Sequence, residues 1–129
     1  MLHLRGELGT GKTTLVRGCL RALGESGRIK SPTYSLVELY SISSLNLYHF
    51  DFYRFNDKNE WLSAGFGELF GPDSACIVEW PERAGDLLPR PDVDVHLAIE
   101  GDGRRAVLTS CSEAGAAWLR LARSRYSAP

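Results

Sequence analysis

Residues 6–13 read Gly6-Glu7-Leu8-Gly9-Thr10-Gly11-Lys12-Thr13 and fit the phosphate-loop pattern G-x-x-x-x-G-K-[ST] without a mismatch. Each residue type has its own reason to be there. Glycines let successive backbone N–H groups turn inward and ring a phosphate, where side chains would block the approach. Lys12 sets a positive charge against β- and γ-phosphates, and the Thr13 hydroxyl suits Mg²⁺. The expected phosphate-binding stretch is therefore Glu7, Leu8, Gly9, Thr10, Gly11, Lys12, Thr13 and Thr14. Such a loop works only between a strand and a helix. The apolar "MLHL" before it reads as the strand. "TTLVRGCLRALG" after it places Leu15, Val16, Cys19, Leu20 and Leu23 near helical spacing, with Gly24 as the stop. A helix beginning near Lys12 adds its positive N-terminal end to the cradle.

The rest of the chain is β-rich. Ser31–Pro32–Thr33 reads as loop, since Pro32 lacks an N–H and pushes Ser31 out of helix. "YSLVELYSI" and "LNLYHFDFYRF" are aromatic and β-branched and read as two strands joined by "SSLN". "DKNEWLSAGFGELF" predicts one or two short helices ending at Gly71–Pro72. Ala75 to Val78 form a compact apolar run, a buried strand with an acidic end. "DVDVHLAIEGDGRRAVLTS" alternates on both sides of "EGDGR", a hairpin signal, and "EAGAAWLRLARSRY" predicts a terminal helix with a basic end. The order implies an α/β sandwich with a mixed sheet in a single domain over residues 1–129.

A phosphate loop needs acidic partners. Glu79 ends the buried run, where a strand beside the loop strand holds Mg²⁺ or polarises water; a surface ion pair is the structural alternative. Asp51 shares a strand face with His49 and Tyr53 and is costly to bury without a partner. It is a candidate to contact Mg²⁺ through water or orient an attacking water, against pairing with Arg54 or a helix end. His49 by itself reads as a structural histidine. Ser31, Thr33 and Tyr34 supply hydroxyls where phosphate-loop enzymes sense the γ-phosphate, although Ser-Pro-Thr is also ordinary turn chemistry. Trp80 stands either near the nucleotide or a partner surface, or as a half-buried aromatic at a strand end.

Composition narrows the classes. A net charge of −1 argues against a chain that coats nucleic acid, no apolar run is long enough to cross a bilayer, and no signal pattern opens the chain. The expectation is a cytoplasmic protein with no membrane contact. The three cysteines include no CxxC pair and are expected to be small buried hydrophobes.

"GELGTGKTTLVRG", "SPTYSLVELY", "LYHFDFYR" and "VEWPER" together resemble, in order and spacing, the bacterial TsaE (YjeE) family over about residues 2–110. The second and third blocks are far more specific than the phosphate loop. The resemblance implies a P-loop NTPase-like three-layer α/β sandwich with a mixed, mainly parallel sheet. It implies an ATPase that is slow in isolation and needs Mg²⁺. It also implies work with TsaD and TsaB in making threonylcarbamoyladenosine in tRNA, which it meets only through that complex. By position, Lys12, Asp51 and Glu79 would be catalytic, and Thr13 and Glu79 metal ligands. Ser31, Thr33, Tyr34 and Trp80 would couple to nucleotide state or partner. Arg104, in the hairpin turn, falls where the family has an arginine contacting ATP; an exposed turn arginine is the alternative. Family members usually carry a further strand and helix before the loop strand, which this sequence lacks, leaving adenine contacts open.

A small P-loop kinase of a nucleoside or metabolite is the main rival. It usually carries an arginine-bearing lid, and residues 56–75 hold no arginine. A GTPase would need an Asn-Lys-x-Asp guanine reader, which "NDKN" is not. A nucleotide-gated adaptor with little turnover differs least from the ATPase reading.

Overall fold

The computed structural model describes residues 1–126. Six strands form one sheet: β1 (Leu2–Arg5), β2 (Val37–Ile42), β3 (Leu45–Asp51), β4 (Ser74–Glu79), β5 (Val93–Glu100) and β6 (Gly103–Ser110). Their order is β2-β3-β4-β1-β5-β6. β3, β4, β1 and β5 run parallel, while the two outer pairings, β2 with β3 and β5 with β6, are antiparallel. The α/β class and the mixed, mainly parallel sheet agree with the sequence reading.

Helix α1 (Lys12–Leu23) follows β1 directly and ends at Gly24, whose φ of 107° is the left-handed conformation glycine takes freely. With α3 (Glu113–Arg125) it lies on one face, where Val16 and Leu20 meet Leu4, Leu47, Ile77, Val93 and Val95, and Leu119 packs alongside. The opposite face carries α2 (Lys58–Ala64) and the 3₁₀ turn Phe66–Leu69. There Phe50, Phe52, Phe55, Trp61 and Phe66 form an aromatic cluster. Phe52 stacks on Phe50 at 5.5 Å and meets Phe55 edge-on at 5.3 Å. Each such ring, wholly removed from water, contributes roughly 1.5–3 kcal/mol. This outer layer does not reach β6, whose residues are all exposed.

Three boundaries depart from the sequence reading. β2 begins at Val37, not Tyr34, because Leu36 N–H donates to the Pro32 carbonyl and closes residues 32–36 into a turn, with Leu36 at φ 67°. The β2–β3 connection is only Ser43–Ser44, since Leu45 and Asn46 already pair with Ile42 and Ser41. β3 stops at Asp51: Phe52 N–H gives the last ladder bond, to the Glu79 carbonyl, and Phe55 N–H then turns back to the Phe52 carbonyl. Of the cysteines, Cys76 is buried as expected, while Cys19 and Cys111 are only partly so. Among the described residues no helix is long and apolar enough to cross a membrane.

Candidate functional site

The alternation of strand side chains decides which residues meet. On β3, Leu47, His49 and Asp51 face α1, while Tyr48 and Phe50 face the aromatic layer; on β4, Ile77 and Glu79 face α1 while Cys76 and Val78 do not. The register pairs Asp51 with Glu79. Two carboxylates therefore stand side by side at the carboxyl ends of parallel strands, beside the loop that follows β1. Ligands of open α/β sheets bind in the crevice at those strand ends. A cleft of about 500 Å³ lies there, within the range of small-molecule sites.

The loop itself is shaped as its glycines predict. Gly6 has φ 147°, and a Cβ there would lie 2.5 Å from the Leu97 carbonyl oxygen on β5, so no larger residue fits without moving backbone. Gly11, at φ 102°, is the N-cap of α1 and offers no side-chain cap. The first N–H groups of the helix are thus left to whatever enters the cleft, the arrangement that binds anions. Lys12 is buried. Its ammonium donates to the carbonyls of Gly6 and Glu7, the latter at 2.9 Å, and lies 4.3 Å from the centre of the Trp80 ring. Burial pulls its pKa down, and the carboxylates Glu79, Glu82, Asp51 and Glu7 pull it back up.

Thr13 Oγ1 donates to Glu79 Oε1 at 3.0 Å, which joins the last residue of the motif to the strand-end acid. Glu79 is 2% exposed, so the surface-ion-pair alternative does not hold. Its other oxygen, Oε2, lies 2.6 Å from His49 Nε2. Asp51 is also buried; Oδ1 accepts the Tyr53 N–H at 3.0 Å. Burial raises its carboxyl above the usual range, the bond from Tyr53 opposes this, and Glu79 beside it adds to the rise. The alternative partner, Arg54, stacks instead over Tyr34, its guanidinium carbon 4.7 Å from the ring centre.

The donor set suits Mg²⁺. Among the described residues no group of three or more His, Cys, Asp or Glu comes together as a cage. One hydroxyl and one or two carboxylates is instead the sparse, hard-oxygen set that Mg²⁺ takes when phosphates and water complete its shell. Thr13 and Glu79 would hold the ion, with Asp51 next to them.

Most residues singled out from the sequence line this cleft: Leu8, Gly9, Gly11, Lys12, Thr13, Thr14, Ser31, Thr33, Asp51, Glu79, Trp80 and Arg104. Ser31 Oγ and Thr33 Oγ1 are 2.7 Å apart. Three do not line it. Glu7 is exposed and contributes its carbonyl to Lys12 and Thr10. Thr10 is buried under the loop. Tyr34 is 84% exposed, outside the cleft rim. Arg104 lies on β6, one residue past the strand's start rather than in the turn. Its guanidinium grips the loop's own carbonyls, Nε to Thr10 at 3.0 Å and Nη2 to Gly9 at 3.2 Å. Tyr53 and Arg54 line the cleft as well, and Tyr53 packs on Trp80 at 5.0 Å. Neither was singled out as a site residue. Both follow a strand end that sequence spacing set too late. Trp80 takes φ 56° directly after Glu79, a conformation uncommon for a bulky side chain.

Comparison with known proteins is consistent with this geometry. Residues 1–107 match the family profile described as threonylcarbamoyl adenosine biosynthesis protein TsaE. The chain is 43% identical over 115 residues to the tRNA threonylcarbamoyladenosine biosynthesis protein TsaE of Haemophilus influenzae, covering 89% of this chain and 73% of that one. It is 36% identical over 107 residues to the protein of that name from Bacillus subtilis, covering 83% and 66%. The crystal structure of Bacillus subtilis YdiB superposes with a TM-score of 0.71 at 28% identity, over 97% of this chain and 78% of that chain. The chain thus spans about two thirds to three quarters of the length of these relatives, and it belongs to the TsaE family of threonylcarbamoyladenosine biosynthesis proteins.

Proposed function

We propose that this protein is the ATPase component of the machinery that makes threonylcarbamoyladenosine in tRNA, hydrolysing ATP slowly with Mg²⁺ to support turnover by TsaD and TsaB in the cytoplasm. tRNA is met only through that complex. One observation carries the reading: the phosphate-loop lysine, the Thr13–Glu79 hydrogen bond and the Asp51 carboxylate converge in one cleft at the strand ends. Family membership supplies the process.

The chain's own groups divide the work. The loop N–H groups and the α1 N-terminus receive the phosphates. The Lys12 ammonium leaves the Gly6 and Glu7 carbonyls for the β- and γ-oxygens and neutralises charge there. Thr13 and Glu79 would hold Mg²⁺, which would supply positive charge to offset that building on the phosphates. Asp51, with its raised affinity for a proton, accepts a hydrogen bond from the attacking water and orients it. Ser31 and Thr33 face the γ-phosphate end of the cleft and respond to its loss. Trp80 and Tyr34 lie where that change reaches a partner. Arg104 holds the loop closed beside the nucleotide.

The test is ATP hydrolysis measured for the protein alone, with TsaD–TsaB, and with candidate phosphate acceptors. Stimulation by the pair is expected; phosphoryl transfer to a small acceptor would establish the kinase reading instead. Lys12→Ala should abolish nucleotide binding, and Glu79→Ala should chiefly impair Mg²⁺-dependent turnover. Unchanged ATP affinity in the first, or normal turnover in the second, removes that residue from the site.

A further inference from the structure

His49 is the residue that this mechanism leaves unused. It is 0% exposed, does not line the cleft, and lies on the core side of Glu79. β3 and β4 are in register at Asp51 and Glu79, so His49, two residues earlier on the same face, is the diagonal neighbour of Glu79. Nε2 is 2.6 Å from Glu79 Oε2. A carboxylate acceptor there places the ring proton on Nε2. Among the described residues, the other nitrogen, Nδ1, has no hydrogen-bond partner. A buried polar atom without a partner is a cost that a packed leucine would avoid, so the packing of this face does not by itself account for a histidine.

Among the described residues, Glu79 has two side-chain partners, Thr13 and His49. Thr13 belongs to the phosphate loop, and its hydroxyl is shared with whatever ion enters the cleft. His49 belongs to the sheet, and its bond does not depend on what the cleft holds. We propose that His49 is a positioning residue: it clamps Oε2 from behind so that Oε1 stays turned toward Thr13, fixing the Glu79 carboxylate for Mg²⁺ before the ion arrives. The proposal rests on the reading of Glu79 as a Mg²⁺ ligand. A hydrogen-bonded partner behind a ligand commonly governs metal affinity by roughly 10–100-fold.

The test compares His49→Leu, His49→Gln and His49→Asn, with Glu79→Ala as control. Binding of a fluorescent ADP analogue is followed without metal and as Mg²⁺ is added. Gln carries its amide N–H₂ as many bonds from Cα as Nε2 and can replace the donor; Asn is one atom short. For Leu and Asn we expect metal-free affinity within about twofold of wild type, but a Mg²⁺ half-saturation raised roughly 10–100-fold, with Gln returning to within about threefold. Wild-type Mg²⁺ dependence in Leu and Asn overturns the proposal. So does equal impairment in Gln and Asn, which would make His49 a matter of shape alone. Should the Leu variant not fold, the Gln–Asn pair decides. If Glu79→Ala itself leaves the Mg²⁺ dependence unchanged, the fault lies with the reading of Glu79.

Discussion

Replacing Asp51 with asparagine should make the protein more stable and inactive at once. Asp51 is buried beside Glu79, in register across two parallel strands. Unit charges at the ~4.8 Å spacing of neighbouring strands repel by roughly 3 kcal/mol at an effective dielectric of about 20. The Lys12 ammonium, attracted to both, offsets part of this. Asn keeps an oxygen for the Tyr53 N–H, so the turn after β3 survives. We expect Asp51→Asn to gain about 1–2 kcal/mol at neutral pH, a rise in melting temperature of roughly 3–6 °C. The pH dependence fixes the cause. Burial raises the Asp51 carboxyl in the folded state, so the folded protein binds that proton more tightly than the unfolded chain does. The carboxyl's contribution to stability is then fully present below its ordinary value of 3.8 and is lost as pH rises through the raised folded value. The advantage of Asn should accordingly vanish on acidification and grow toward neutrality. Thermal melts across that range, paired with ATPase rates, are the assay. Turnover should fall on the order of 100-fold or more if Asp51 orients the attacking water. An Asn variant that melts below wild type at neutral pH, or whose advantage is the same in acid, would refute the electrostatic reasoning.

Other substitutions probe the frame of the cleft. Gly6→Ala forces a Cβ against the Leu97 carbonyl oxygen at 2.5 Å; a loss of about 1–3 kcal/mol and at least tenfold weaker nucleotide binding should appear in melts and titration. Phe52→Ala removes the ring shared by Phe50, Phe55, Trp61 and Phe66. It should cost about 3–5 kcal/mol in urea unfolding; a loss below about 1 kcal/mol would mean that the aromatic layer collapses freely. Arg104→Ala frees the Gly9 and Thr10 carbonyls and should weaken nucleotide binding roughly tenfold, about 1.4 kcal/mol. Arg104→Lys should not restore it, because an ammonium lacks the planar fork that reaches both carbonyls. Full activity in the Lys variant would mean that charge alone matters there.

Much of this architecture was legible in the chain because its signals are local. The phosphate loop, the helix after it, the existence of a hairpin near residues 100–104 and the buried run ending at Glu79 each lie within a few residues of their own cues. The boundaries that moved did so through contacts between distant segments. β3 makes its last ladder bond from Phe52 N–H to the Glu79 carbonyl, and the turn at residues 32–36 is tied to β3 where Asp51 N–H reaches the Leu36 carbonyl. Arg104 likewise reads as a turn arginine until β6 pairs with β5 and carries it over the loop carbonyls of Gly9 and Thr10.

The sequence by itself marked residues 6–13 as a phosphate-loop pattern, singled out Asp51 and Glu79 as its candidate acidic partners, and determined that the fold is α/β. Side-chain periodicity and backbone-limited residues encode those facts within single segments. Only the tertiary structure decided that β1 lies between β4 and β5, that Asp51 and Glu79 stand abreast, and that His49 backs Glu79. Strand order and register are choices among many non-local pairings. They are made by the burial of two apolar faces at once, which no stretch of chain can specify alone.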